Sequence, residues 1–304
     1  MNRVLLTLVL ATAVTVLVAG CETLKVAGEL GGLVGVATGT MTTNEAASLT
    51  RTTAAVAKTF EDITPEQEYY IGRAVSATIL NKYKPYSNDA AHRYLNLLGQ
   101  SLALASTKPE TFGGYHFMIL DSGEINAFAA PGGFIMVTRG MLRCCRSEDA
   151  LAAVLAHEIG HVQNQHGLKA IKQGRLTSAL TILAVESAKT FGGEDLAELT
   201  TAFEGSITDI TSTLMTSGYA RGQERDADKG AVQILKQVGY APQALVDMLE
   251  QMKNNLKPGG LDFAKTHPAP QDRIKYIREW IGSAPSPVEP AARQARFDQA
   301  MKGL

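Results

Sequence analysis

Two histidines four residues apart, His157 and His161, enclose a glutamate in the run His157-Glu158-Ile159-Gly160-His161. On a helix such residues share a face and lie about 6 Å apart along the axis, so their imidazoles can reach one ion. Glu158 follows the first histidine, where its carboxylate can stand beside a metal-bound water without filling a coordination position itself. Zinc lowers the pKa of such a water toward 7, and the glutamate can take its proton as attack begins on a carbonyl carbon. The expected chemistry is hydrolysis with one Zn2+ per chain.

A chance match to this pattern occurs in about one chain per hundred of this length, so the motif alone decides little. Its setting decides more. Ala152, Ala153, Ala156 and Ile159 surround it, and a polar triplet inside an apolar helix is costly to bury without a purpose. Two histidines leave the ion short of a third protein ligand. His166 lies about 180° around the helix from His157, and the chain lacks the glycine-containing HExxHxxGxxH turn, so His166 reads as structural. The run Gln223-Glu224-Arg225-Asp226-Ala227-Asp228 is the better source. Glu224 and Asp228 share a helical face, so Glu224 can bind the metal while Asp228 accepts a hydrogen bond from a ligand imidazole. Taken alone this run reads as a solvated charged helix end. Coupled to the upstream histidines it completes a two-histidine, one-glutamate set.

The elements that must hold these residues are largely helical. Thr64-Pro65-Glu66-Gln67 marks a helix start, with a helix running through Ile71 to Tyr83 and a second over Asp89 to Ala105. Tyr115 to Leu120, Asn126 to Ala130 and Gly133 to Thr138 read as strands, with Pro131-Gly132-Gly133 turning the chain. Ser147-Glu148-Asp149 supplies the cap and acidic first turn of the helix bearing His157. Gly174 to Ser217 holds an apolar helix around Ala179 to Ala188 and a Thr-rich stretch that could cover the cleft. Helices then follow over Tyr219 to Val238, Pro242 to Met252 and Gln271 to Ile281.

Together these segments resemble the M48 family of zinc metallopeptidases, particularly its soluble or lipid-anchored bacterial members. Besides HEIGH and ERDAD, the chain carries NAFAAPGGFIMVTRGML from Asn126 to Leu142 and THPAPQDRI from Thr266 to Ile274. The resemblance covers about Thr64 to Ile281. It implies an α+β, zincin-like domain, predominantly helical, with a small antiparallel sheet beside the HExxH helix. It makes His157, His161 and Glu224 the zinc ligands, Glu158 the general base and Asp228 the partner of a ligand imidazole. It brings His267 toward the cleft, to stabilise an oxyanion or contact the zinc side; a cap before the Arg273 helix is the alternative. The strand carrying Gly132, Gly133, Phe134 and Ile135 looks like an edge that pairs with an extended substrate, or is simply part of the sheet. The chain departs from membrane-embedded relatives in lacking multiple long apolar spans, which speaks against prenyl-protein processing.

Arg3 and the apolar run from Val4 to Ala19 read as an export signal, too short for a membrane span. The run ends in Val18-Ala19-Gly20-Cys21, which resembles a lipobox with Cys21 as the lipidated first residue. The expected organisation is signal peptide 1–20, tether 21–61 rich in Gly, Ala and Thr, metallopeptidase domain 62–282 and tail 283–304. Gly31, Gly35 and Gly39 sit at four-residue spacing, which a Gly-rich linker produces by chance. Removing Cys21 leaves the neighbours Cys144 and Cys145, which cannot staple distant segments. A chain of 304 residues with net charge -1 has no field for nucleic acid. The expectation is a lipid-anchored endopeptidase facing the periplasm, on the outer membrane in preference to the inner, cleaving unfolded or envelope proteins. The alternatives are a zinc-containing lipoprotein acting as chaperone or assembly factor, and a latent peptidase with a plugged cleft.

Overall fold

Ser147 starts the helix around which the fold is built. Its hydroxyl accepts from Ala150 N at 3.1 Å, and Glu148 and Asp149 place negative charge at the positive end of the helix. The computed structural model describes residues 63–171, 204–255, 266–267, 270–282 and 290–304. Its helices are α1 (Pro65–Lys82), α2 (Asp89–Ala103), α3 (Arg139–Cys144), α4 (Glu148–Gln163), α5 (His166–Lys169), α6 (Arg221–Val238), α7 (Gln243–Asn255), α8 (Pro270–Ile281) and α9 (Ala291–Ala300). Its strands are β1 (His116–Leu120), β2 (Ala127–Ala130) and β3 (Phe134–Thr138). Nearly all of these residues belong to one unit, Pro65–Lys172 with Gly205–Leu304; the other unit, Met1–Thr64 with Gln173–Glu204, is almost wholly outside the described residues. The export signal, Cys21, the tether and the helix around Ala179 to Ala188 all lie outside them. No described helix is long and apolar enough to cross a membrane.

Every residue of α4 from Glu148 to Val162 is buried. A helix apolar on all sides belongs in the middle of a core, and α4 is packed by α2, α6 and α7 and by the sheet. The tightest crossing is with α6. A Cβ added at Gly160 would lie 2.6 Å from Ala227 O and 2.9 Å from Ala227 Cα, so the two backbones meet with no side chain between them. Gly160→Ala therefore sets a helix-propensity gain of at most about 1 kcal/mol against a clash with another helix's backbone. The clash wins, and the variant is expected to lose about 1–3 kcal/mol in urea unfolding; unchanged stability would mean that the helices separate freely.

The α+β expectation holds, with one correction to the sheet. Its order is β1-β3-β2, with β2 antiparallel to β3 but β1 parallel to it, so the sheet is mixed. The hairpin through Pro131–Gly133 lays β3 back along β2, and β1 joins β3 on its far side. Gly132 occupies positive φ at 73°, which only glycine adopts freely in this turn. A second correction follows. Phe134 pairs with both His116 and Ala130, and Ile135 with both Phe117 and Ala129, so β3 is the middle strand and offers no edge. Gly132 and Gly133 lie in the turn. Along β1, the Asn96 amide bonds Phe117 N and O, and Tyr86 N bonds Ile119 O, which caps that edge.

The C-terminal segment, expected as a tail, folds onto the core. Arg296 pairs with Glu148 and Arg293 with Asp149 at 3.3 Å, both acids in the first turn of α4, while Phe297 is buried among core residues. Tyr94 and Tyr240 hydroxyls also donate to Glu148, at 2.9 and 2.7 Å. Desolvation works to raise the Glu148 pKa, but Arg296 and the two tyrosines hold it below the ordinary carboxylate value. Cys144 and Cys145 are buried thiols.

Candidate metal centre

His157 and His161 project from α4 with their Nε2 atoms 3.1 Å apart. Glu224, one turn into α6, brings Oε1 to 3.3 Å from His161 Nε2 and Oε2 to 3.6 Å from His157 Nε2. His267 completes the group, with Nδ1 2.7 Å from Glu224 Oε1. The four residues each offer a donor atom within 4.8 Å of the others, and all four are buried. Metal–ligand bonds of about 2.0–2.1 Å in a tetrahedron place neighbouring donors about 3.3 Å apart. The spacing of the two imidazoles and the carboxylate matches that, so these residues fit a small tetrahedral cation.

The nitrogens facing away from this point have partners of their own. His157 Nδ1 lies 2.9 Å from Asp228 Oδ1, so it carries the proton and leaves Nε2 as a lone pair. Asp228 sits one turn beyond Glu224, as the spacing predicts. His161 Nδ1 lies 2.9 Å from His166 Nδ1. With His161 donating, its Nε2 is likewise free to ligate. His166 is thus outside the donor cluster but holds a ligand's ring, a contact the angular argument could not show because the helix breaks at Asn164 and Gln165 adopts positive φ. Tyr219 stacks on His161, ring centroids 4.1 Å apart, and its hydroxyl donates to Ala129 O at 3.4 Å. It thereby ties the metal side of the site to β2, an edge strand of the sheet.

Arg273 underlies the whole arrangement. It is 1% exposed, donates through Nε and Nη2 to the two oxygens of Asp228 at 2.9 and 2.6 Å, and brings Nη1 within 3.2 Å of Glu224 Oε2. Tyr276, one helical turn on, donates to Asp228 Oδ2 at 2.7 Å. Desolvation opposes the charge on Asp228, yet Arg273 and His157 hold its carboxyl well below the usual range. Desolvation, with Arg273 beside it, pushes His157 down to about 3, so it is neutral and able to ligate. Sequence reading missed Arg273, Tyr276 and Tyr219. Arg273 was within the quoted THPAPQDRI segment, six residues after His267, but a single arginine in an exposed-looking run carried no spacing signal.

Glu158 is 1% exposed, and its Oε1 has no hydrogen-bond partner among the described residues. Desolvation, reinforced by the charge of Glu224, raises its pKa to about 8. A carboxylate whose proton affinity is raised into the neutral range is a competent proton acceptor.

A buried helix bearing His-Glu-x-x-His, with a carboxylate from a second helix, defines the class of metal-dependent hydrolases. The match to the family model places the chain more narrowly: residues 89–281 match peptidase family M48, and the chain belongs to that family. It is 28% identical over 226 residues to a putative beta-barrel assembly-enhancing protease of Vibrio cholerae, covering 71% of this chain and 44% of the relative. It is 29% identical over 196 residues to the beta-barrel assembly-enhancing protease of Escherichia coli K12, covering 61% and 38%. It is 32% identical over 165 residues to the mitochondrial metalloendopeptidase OMA1 of Schizosaccharomyces pombe, covering 52% and 44%. The chain thus spans less than half the length of these relatives.

Proposed function

We propose that the chain is a zinc-dependent endopeptidase acting on unfolded or envelope proteins, exported and held at a bacterial membrane through lipid on Cys21. The observation that carries the reading is the burial of Glu158 beside four converging donors, an arrangement costly to maintain without chemistry. A bound zinc supplies polarisation of the scissile carbonyl and acidification of the attacking water. Glu158 accepts the proton that water gives up and passes it to the departing amine, so one C–O bond forms as the C–N bond breaks. His157, His161 and Glu224 would hold the ion, and Asp228 and His166 would orient the imidazoles. An extended substrate backbone would lie along β2, the sheet edge that Tyr219 ties to the donors. The relatives' names support an envelope setting for the bacterial members.

Purified mature protein is expected to hold one zinc by elemental analysis and to cleave a reduced, unfolded protein, with cleavage lost on chelation and regained with zinc. Metal-replete protein that leaves unfolded proteins and a peptide library intact would sink the reading. His267 favours a second reading, a latent peptidase. Catalytic zinc sites keep one position open, and a fourth protein donor closes it. Latency requires His267→Ala to raise the hydrolysis rate; a fall in rate would instead assign His267 to the stabilisation of developing charge.

A further inference from the structure

The face of the sheet turned away from α4 carries a cavity that the metal centre does not use. Phe117, Ile135 and Val137 belong to the core around α4, so by strand alternation His116, Met118, Phe134 and Met136 share the opposite face. Between that face and α1 lies a cavity of about 370 Å³, the size of a small-molecule site. Arg73, Ser76, Ala77 and Leu80 line it from α1, at the spacing of a single helical stripe. The helix runs along the strands, with Gly72 against Phe134 at one end and Tyr83 packed on Phe128, the partner of Met136, at the other. The cavity therefore has a polar end at Arg73 and His116 and an apolar end at Leu80, Met118 and Met136. Arg73 is exposed, is the one charged residue of the lining, and has no carboxylate partner among the described residues. One turn along, the Ser76 hydroxyl is buried without a hydrogen-bond partner among the described residues, a cost that a ligand oxygen would offset.

A peptide does not suit this space. β3 is paired on both sides, and the outer side of β1 is taken by the Asn96 amide, Tyr86 and Lys84. Peptide amides would enter with no ladder to join, and burying them unpaired is costly. A hydrocarbon chain carries no such groups, and unbranched methionines repack around chains of different length. We infer that the cavity binds a single-chain fatty acid, its carboxylate at Arg73 and Ser76 and its chain running over Met118 and Met136 toward Leu80. Charge sets this direction, because the reverse would bury the carboxylate among apolar side chains. The inference stands apart from the peptidase reading, since none of the four metal-site donors lines the cavity.

The test titrates the full chain by calorimetry with decanoate, below its micelle-forming concentration, and with decanol as the uncharged probe of equal chain length. One decanoate is expected per chain, bound about 10-fold more tightly than decanol. Arg73→Gln combined with Ser76→Ala is expected to weaken decanoate by about 10-fold and to leave decanol within about two-fold. Ala77→Trp, a change at an exposed position of α1, fills the cavity and abolishes binding of both. The methyl resonances of Met118 and Met136 move along the titration, and circular dichroism confirms that each variant is folded. Glu158→Gln binds decanoate as the wild type does, which separates this site from turnover. Absence of saturable binding by the wild type, binding that survives Ala77→Trp, or equal affinity for decanoate and decanol each overturns the proposal. Saturation by an apolar peptide with no response to decanoate overturns it in favour of a peptide site.

Discussion

Glu158→Gln is expected to lower kcat on an unfolded protein by about 10²–10⁴-fold, the usual contribution of a positioned general base. Glutamine matches the carboxylate in size and keeps a hydrogen-bonding end, so the packing of a residue only 1% exposed is preserved. The change removes one ionisable group whose Oε1 makes no hydrogen bond among the described residues, so folding loses little. Zinc content should be unchanged, because Glu158 is not among the four residues whose donor atoms converge. The measurement is a progress curve at matched metal loading, beside a thermal melt. Retention of wild-type turnover would remove Glu158 from the chemistry.

Arg273→Ala should produce the largest loss of stability. It deletes the cation facing two buried carboxylates, Asp228 and Glu224, each 0% exposed. Breaking a buried ion pair from one side costs about 3–5 kcal/mol because the remaining charge has neither water nor partner. At about 2–4 °C per kcal/mol for a domain of this size, the melting temperature falls by roughly 6–20 °C. Arg273→Lys recovers only part, since an ammonium cannot repeat the two-pronged contact through Nε and Nη2. Metal should also bind less tightly, because Asp228 loses its orienting partner and with it the grip on His157. A melt within 2 °C of wild type would show that solvent reaches these carboxylates.

Local pattern made α4, its cap and the α6 pair Glu224 and Asp228 legible in the sequence, because helical spacing maps directly onto shared faces. The strands were legible as segments, but their order was not. Register along β1 depends on which side of β3 it approaches, and nothing in His116–Leu120 records that. The same gap misplaced the substrate edge on β3. His166 illustrates a different limit: the angular argument holds only while the helix continues, and the left-handed turn at Gln165 returns the ring to His161. The role of α9 was invisible because Arg296 and Glu148 are 148 residues apart and neither is unusual in its own segment.

The contact of Gly160 with Ala227 has a consequence for how such a protein can diverge. Because α4 and α6 touch backbone to backbone, the donors they carry move only if two whole helices move. The face of α4 that carries Val154 and Glu158 meets α7 through side chains, methionines among them. One side of the helix is stiff and the other compliant. Substitutions can therefore accumulate on α7 without disturbing the metal geometry, so the packing on this face can drift over generations while the donor arrangement is inherited intact.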